Sequence, residues 1–480
     1  MRGEIAAPRF RLTPGPATVV AVAGTAATFA LAYQLAGGHR HLVEAVVAVA
    51  GLALVFRWPR YVFYAWVATA ATILPSRVVP LSLGGIRSDL PEAVSFAILA
   101  MVVVRWAMGD RQLRRPEMAA PFLVLFAAAC VGVVVSSSYG AGRSVWLASW
   151  KSLAMFLLPL AVTALHRTGA ELEALERWVM RIAFVGTALA FLTFFTGFNP
   201  LTKTTTQVVT LGVTSDANRL RPAVLNLLML AVLLLLAQCV REGVNGRRLI
   251  TLLLFSSLIA MSFTRSTWVP LAIATLLFIV GRPGTRVPLR GLRTAVTLLV
   301  VAVVAFGAAA SGALGPSMKA VTARVESVGN PQVFQENSYQ DRANEDTIAW
   351  ATLQGHLLQG NGLGRPYGDI VIEHDPITGQ TVREPRQFIH NSYLGTWLGL
   401  GVLGLAAWAW LSVAVTRRAF RARKDPSVHG TRSFAAACAL FGLGLQAIFQ
   451  TSLYNRSVLA TVACAVAFLV GPAKTVAEDS

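Results

Sequence analysis

Acidic residues are scarce in this chain of 480 residues. Only 23 Asp and Glu stand against 42 Lys and Arg, and charged residues of both signs make up 14% of the whole. A soluble domain carries about 25% charged residues, so the composition excludes an ordinary water-soluble protein. Cysteine is nearly missing too, with four in all, which excludes a disulfide framework. Cys130, Cys239, Cys438 and Cys464 each lie inside an apolar run, where a thiol reads as a small core residue. The sequence has no Walker loop, no dinucleotide fingerprint, no HExxH and no GxSxG. His39, His41, His166 and His429 lack ligand spacing, and so do His356 and the His374-Asp375 pair. These absences argue against nucleotide-driven transport by this chain alone, and they leave no expectation of a metal or other cofactor.

What is present in quantity is hydrocarbon. Apolar residues make up 55% of the chain and the mean hydropathy is +0.59, which excludes disorder. About 20 apolar residues cross a bilayer as a helix. Candidate spans lie near 17–36, 43–57, 60–75, 91–108, 119–136, 145–165, 178–197 and 222–240, then near 249–263, 267–281, 294–311, 392–415, 433–451 and 456–471. The expected fold is therefore an all-α integral membrane bundle of about 12–14 transmembrane helices. The first run has the length of a span and others follow it, so it does not read as a cleavable leader.

The formal charge of +19 raises the question of nucleic acid, but the map of spans answers it. Most lysines and arginines fall in the segments on one side, including Arg111, Arg114 and Arg115 in one loop and Arg417, Arg418, Arg421, Arg423 and Lys424 in another. That asymmetry fits a chain with both termini inside. The partner of these cations is then the inner leaflet of the lipid bilayer, and no nucleic acid is needed.

One segment breaks the hydrophobic pattern. The chain divides into N-terminal spans over 1–311, a large polar loop over 312–389 on the outer face, and C-terminal spans over 390–480. Within the loop, Ser317–Val328 and Asp341–Leu358 have helical apolar spacing, and Gly360-Asn361-Gly362-Leu363-Gly364 ends the second helix. Ile370-Val371-Ile372 and Thr381-Val382-Arg383, with a turn around Asp375–Gly379, predict a hairpin.

Several polar residues are not explained by the membrane. Arg265 occupies a tight outer turn, Ser262-Phe263-Thr264-Arg265-Ser266-Thr267-Trp268. A guanidinium this close to hydrocarbon is costly without a partner; it either snorkels to the interface or clamps phosphate oxygens with its planar fork. Arg219 and Arg221 precede a span on the same outer side, and Arg342 opens the loop helix. Each has a simple alternative as an ion pair, with Asp216 for the first two and with Glu345 or Asp346 for the third. Together these arginines suit a diphosphate presented at the membrane surface. His390, in Phe388-Ile389-His390-Asn391-Ser392, stands where the loop re-enters the membrane. It is either an interfacial cap or a neutral imidazole able to accept a proton from a sugar hydroxyl. The small residues Gly401 and Gly404 in the span that follows allow close helix approach. Lys151 and Glu44 are the main charges within spans.

His390-Asn391, nine residues, Gly401, two residues and Gly404 resemble the H-[NSQ]-x9-G-x-x-G signature of the O-antigen ligase and Wzy polymerase superfamily. Arg342-(x7)-Trp350 followed by Gly360–Gly364 is similar to the R…W…G-x-G run of that family's large periplasmic loop. Thr264-Arg265-Ser266 resembles its short turn between spans, and Ile86–Leu90 a common approach to an early span. The resemblance covers most of the chain through topology and is specific over residues 342–404.

That resemblance implies a metal-independent, inverting glycosyltransferase with a GT-C-like bundle in the bacterial cytoplasmic membrane, its site facing the periplasm or exterior. Its partners are a polyprenyl (undecaprenyl) diphosphate-linked glycan donor and a saccharide or glycolipid acceptor. His390, Arg265 and Arg342 are the expected catalytic residues, and Arg219, Arg221 and Asn391 the expected substrate-binding ones. The competing class is a lipid-linked glycan flippase or secondary transporter. Transporters of that kind bury charges at the midplane and show repeats; the chain has few such charges and no evident repeat. Residue usage rich in Ala, Val, Arg and Leu points to a GC-rich genome such as an actinobacterium's.

Overall fold

A computed structural model describes residues 51, 53–73, 80–83, 86–108, 118–196, 208–210, 218–220, 222–262, 264–281, 337–368, 370–374, 381–385, 389–450 and 455–472. Residues 1–59 cluster as one unit, in which 53–57 are helical, and Arg60–Ser480 as a second. The expected spans at 17–36 and 294–311, the helix Ser317–Val328 and Glu44 lie outside the described residues.

The described residues are mostly helical, with three short hairpins among them. Helix α1 (Pro59–Ala68) widens into a π turn over Thr69–Ile73. A hairpin of β1 (Pro80–Leu83) and β2 (Ile86–Asp89) leads directly into α2 (Leu90–Ala107). Helix α3 covers Ala119–Ser138. Helices α4 (Arg143–Ala154) and α5 (Leu158–Leu165) are joined through a 3-10 turn, Met155–Leu157. Pro159 sits in the first turn of α5; lacking an N–H, proline cannot continue a regular helix from the turn before it. Helix α6 (Gly169–Thr196) is followed by β3 (Val208–Thr210) and β4 (Asn218–Leu220). Then come α7 (Leu225–Glu242), α8 (Gly246–Met261) and α9 (Arg265–Gly281).

Helix α10 (Asn337–Gln354) opens the polar segment, and β5 (Ile370–His374) pairs antiparallel with β6 (Thr381–Pro385). The chain ends with α11 (Ser392–Lys424), α12 (Val428–Gln446) and α13 (Arg456–Val470). The expected hairpin and loop helix are both there. Asn245, Asn391, Ser427 and Asn455 cap α8, α11, α12 and α13, each side chain accepting a backbone N–H of the first turn.

Among the described residues four helical stretches are long and apolar enough to cross a membrane: Ala119–Ser138, Arg143–Leu165, Leu225–Glu242 and Ser392–Lys424. Each falls on an expected span. Helix α7 is buried along nearly its whole length, as is α13, so these two form the centre of the packing.

Hydrogen bonds between helix ends fix the order of the bundle. Ser392 N–H donates to the Ala447 carbonyl at 2.8 Å, while Ser433 Oγ donates to the Leu469 carbonyl at 3.1 Å. Helices α11, α12 and α13 therefore run antiparallel in turn, with His390 at one end and Arg432 at the other. At the Arg432 end, Glu176 sits 2.6 Å from that guanidinium and accepts from Gln238 Nε2 at 2.8 Å. Arg60 with Glu171, and Arg248 with Glu242, are ion pairs elsewhere in the bundle. Cys239, Cys438 and Cys464 are buried, Cys130 is partly so, and all four are free thiols.

Candidate functional site

Helix α10 buries one stripe of its surface. Ala349 and Leu353 pack with Ile389, Leu398 and Tyr367 in a small apolar cluster. Glu345 precedes them at helical spacing, so it lies on that same stripe, one turn toward the N-terminus. The packing of Ile389 delivers the next residue, His390, to the Glu345 carboxylate. One oxygen of that carboxylate lies 2.8 Å from His390 Nδ1 and accepts the His390 backbone N–H at 3.3 Å. The imidazole is half exposed while the carboxylate is buried. An ionised Glu345 accepts from Nδ1–H, which leaves Nε2 with its lone pair.

The neighbouring pair repeats the arrangement. Asn391 Nδ2 donates to Asp346 at 3.5 Å, while its Oδ1 accepts Leu394 N–H and caps α11. Burial raises the pKa of the Asp346 carboxyl above its ordinary value, and the hydrogen bond from Asn391 partly offsets this.

A broken helix lies under this site. Gly401, inside α11, has φ +66° and ψ −164°, a conformation open essentially to glycine alone. The loop after α10 fills the break. Asn361 N–H donates to the Leu398 carbonyl at 2.6 Å, and Val402 N–H donates to the Leu358 carbonyl at 3.0 Å. Backbone groups freed in an apolar bundle must find partners within the protein, and residues 358–361 supply them. The next residues lie against α3: Leu363 N–H donates to the Gly132 carbonyl, and Ser136 Oγ donates to the Leu363 carbonyl. Gly401 therefore does more than ease the close approach of helices.

A chain of amides joins the His390 end to the first turn of α9. Ser392 Oγ donates to the Gln450 carbonyl at 2.5 Å, and Gln450 Nε2 donates to Ser266 Oγ at 2.6 Å. Gln446 Nε2 donates to both Gln450 Oε1 and Asn226 Oδ1, and Asn226 Nδ2 donates to Ser457 Oγ. Next to Ser457, Arg456 and Lys151 both bond to Glu92, at 2.9 and 2.7 Å. Lys151, expected as a charge within a span, is thus in a buried cluster at the same end as His390.

The structure brings four of the six expected residues toward one end. His390 and Asn391 meet α10 directly. Arg342 lies one turn before Glu345 on that helix, partly exposed. Glu345 and Asp346, its alternative ion-pair partners, bond to His390 and Asn391, and Arg342 has no salt bridge among the described residues. Arg265 is the first residue of α9, next to Ser266, which Gln450 ties to the start of α11. Arg219 pairs with Val209 in the β3–β4 hairpin. Arg221 lies outside the described residues.

Sequence reasoning missed Glu345 and Asp346 as partners of His390 and Asn391, and missed Gln450 as the link to the Arg265 turn. Two adjacent acids on the polar helix α10 were the only signal. Among the described residues no group of three His, Cys, Asp or Glu is placed to hold a metal ion.

Residues 250–409 match the family described as O-antigen ligase. Over that segment, about a third of the chain, it is similar to that family. The matched span runs from α8 through α9, α10 and the β5–β6 hairpin into α11, so it contains Arg265, Arg342, Glu345, His390 and the broken helix. Among curated proteins no match is found. The match and the long apolar helices point to an integral membrane protein.

Proposed function

We propose that this protein is a glycosyltransferase that moves a glycan from a polyprenyl (undecaprenyl) diphosphate carrier to a saccharide or glycolipid acceptor. The observation that carries the reading is His390, held at Nδ1 by a buried carboxylate with its ring half exposed. In this reading the bundle is GT-C-like and sits in the bacterial cytoplasmic membrane. Residues 312–389 form a loop on the outer face between the spans of 1–311 and 390–480. The His390 end faces outward.

The reaction is a single displacement. The acceptor hydroxyl attacks the anomeric carbon from the face opposite the diphosphate and gives its proton to His390 Nε2. The C1–O bond to the carrier breaks, and its electron pair leaves on the diphosphate, so the anomeric centre inverts. Negative charge grows on the leaving group, where Arg265 and Arg342 stabilise it without a divalent ion. Arg219, Arg221 and Asn391 assist in holding substrate.

The packing of the helices supports an isoprenoid donor. A cavity of about 710 Å³ is walled by α9, α11, α12 and α13. It is lined almost wholly by apolar side chains and runs from Tyr393, three residues beyond His390, toward Phe420 and Arg423.

Purified protein in proteoliposomes, given an undecaprenyl diphosphate glycan and an acceptor, should release undecaprenyl diphosphate in step with glycosylated acceptor. Movement of intact donor across the bilayer with no product would assign the chain to the flippase class instead.

A further inference from the structure

We infer that Glu345 is the positioning residue of His390, fixing which ring nitrogen carries the proton and holding the imidazole in the orientation that accepts the acceptor's hydroxyl proton. The inference rests on the transferase reading above and adds a residue to it.

Three observations carry it. First, one oxygen of Glu345 grips His390 twice, at Nδ1 (2.8 Å) and at the backbone N–H (3.3 Å). A single contact to the ring leaves the ring free to swing about its bond to the backbone. A second contact to the same residue's N–H fixes the carboxylate relative to that backbone, so the ring has one setting in which the hydrogen bond is made. Second, the carboxylate is itself fixed. It is buried on α10 at the head of the stripe Glu345–Ala349–Leu353, which packs on Ile389 and Leu398 on either side of the His390 junction. Third, the ring is asymmetric in exposure. Nδ1 faces the buried oxygen, the imidazole is half exposed, and Nε2 has no hydrogen-bond partner among the described residues.

The chemistry follows from these contacts. An ionised Glu345 has no proton to give, so the shared proton belongs to Nδ1 and the lone pair to Nε2. When the new C–O bond forms, the hydroxyl proton passes to Nε2 and the ring becomes a cation. The buried carboxylate beside Nδ1 stabilises that cation, and the proton on Nδ1 stays where it is. The leaving diphosphate takes the electron pair of the broken bond. Asp346 is the other described carboxylate that the charge of His390 reaches. It bonds to Asn391 and not to the ring, so it sets the helix cap while Glu345 sets the imidazole.

The test uses full-length protein in proteoliposomes with donor and acceptor. Glu345→Gln keeps an oxygen for Nδ1–H but removes the charge. It should lower kcat on the order of 100-fold, with KM for the donor unchanged and the acid limb of the pH–rate profile moved to lower pH. Glu345→Asp should recover part of the loss. In a His390→Ala background, Glu345→Gln should cost nothing further. A residue that only holds the fold gives equal losses in both backgrounds and leaves the pH profile in place, and that result overturns the inference. Parent-like rates in Glu345→Gln also overturn it, while inactivity of His390→Ala leaves the transferase reading standing. Parent-like transfer by His390→Ala overturns the transferase role of His390 itself.

Discussion

Replacing Gly401 by alanine should cost several kcal/mol, whereas the same change two residues earlier, at Gly399, should cost nothing. At Gly401 the backbone has φ +66° and ψ −164°, and forcing a residue with a side chain into that region costs about 1–3 kcal/mol. A Cβ there would also fall on the Leu358 carbonyl. Relieving that clash pushes the loop out of the break and lengthens two hydrogen bonds, Asn361 N–H to Leu398 and Val402 N–H to Leu358. Each contributes about 0.5–1.5 kcal/mol. The expected loss is therefore about 4 kcal/mol, or roughly 8 °C in Tm at about 2 °C per kcal/mol for a large chain. At Gly399 the added Cβ meets only Leu363 Cδ2, at 3.6 Å, an ordinary contact in regular helix, where alanine is the better helix former by about 1 kcal/mol. Thermal unfolding of the two variants in the same detergent, followed by tryptophan fluorescence, makes the comparison. Equal Tm values for Gly401→Ala and the parent would refute the account of the broken helix.

Three further outcomes follow from the site. Glu92→Gln leaves Lys151 and Arg456 without their shared buried carboxylate; it should destabilise the protein by about 3 kcal/mol, and a denaturant midpoint within error of the parent would contradict this. Asp346 has a raised pKa in the folded protein, so its ionisation opposes folding and stability falls as pH rises through that range. Asp346→Asn should therefore unfold at a higher temperature than the parent at pH 7, with the gap closing toward about pH 4; a gap that widens in acid would reverse the sign argued here. Arg342→Ala should reduce transfer on the order of 100-fold, and Arg342→Lys by less, as measured by release of the carrier diphosphate. Full activity in Arg342→Ala would remove that arginine from the leaving-group site.

Much of this architecture was legible from local pattern. Continuous apolar runs foretold the four long helices because a membrane span needs only length and composition. The β5–β6 hairpin was readable from β-branched residues on either side of a turn, whereas α10 ends at Gln354, before the glycine run expected to end it. The pairings that make the site were not legible in the same way. Glu345 and His390 are 45 residues apart, and Glu92 reaches Arg456 across 364; no periodicity links residues at such distances. Gly401 shows the same limit in a single position. Its place in the signature was visible, but its positive φ depends on a loop about 40 residues earlier in the chain, which fills the helix break it creates. Glu345 looked like a partner for Arg342 because they are one turn apart, and the packing of Ile389 gave it to His390 instead.

The proposed role of His390 is to take the acceptor's proton in glycan transfer from a polyprenyl diphosphate. The direct measurement is single-turnover transfer by His390→Ala in proteoliposomes saturated with undecaprenyl diphosphate glycan, with donor binding measured on the same sample. Donor should bind as tightly as to the parent, and transfer should fall by a factor on the order of 1,000 or more. Transfer at the parent rate would contradict it.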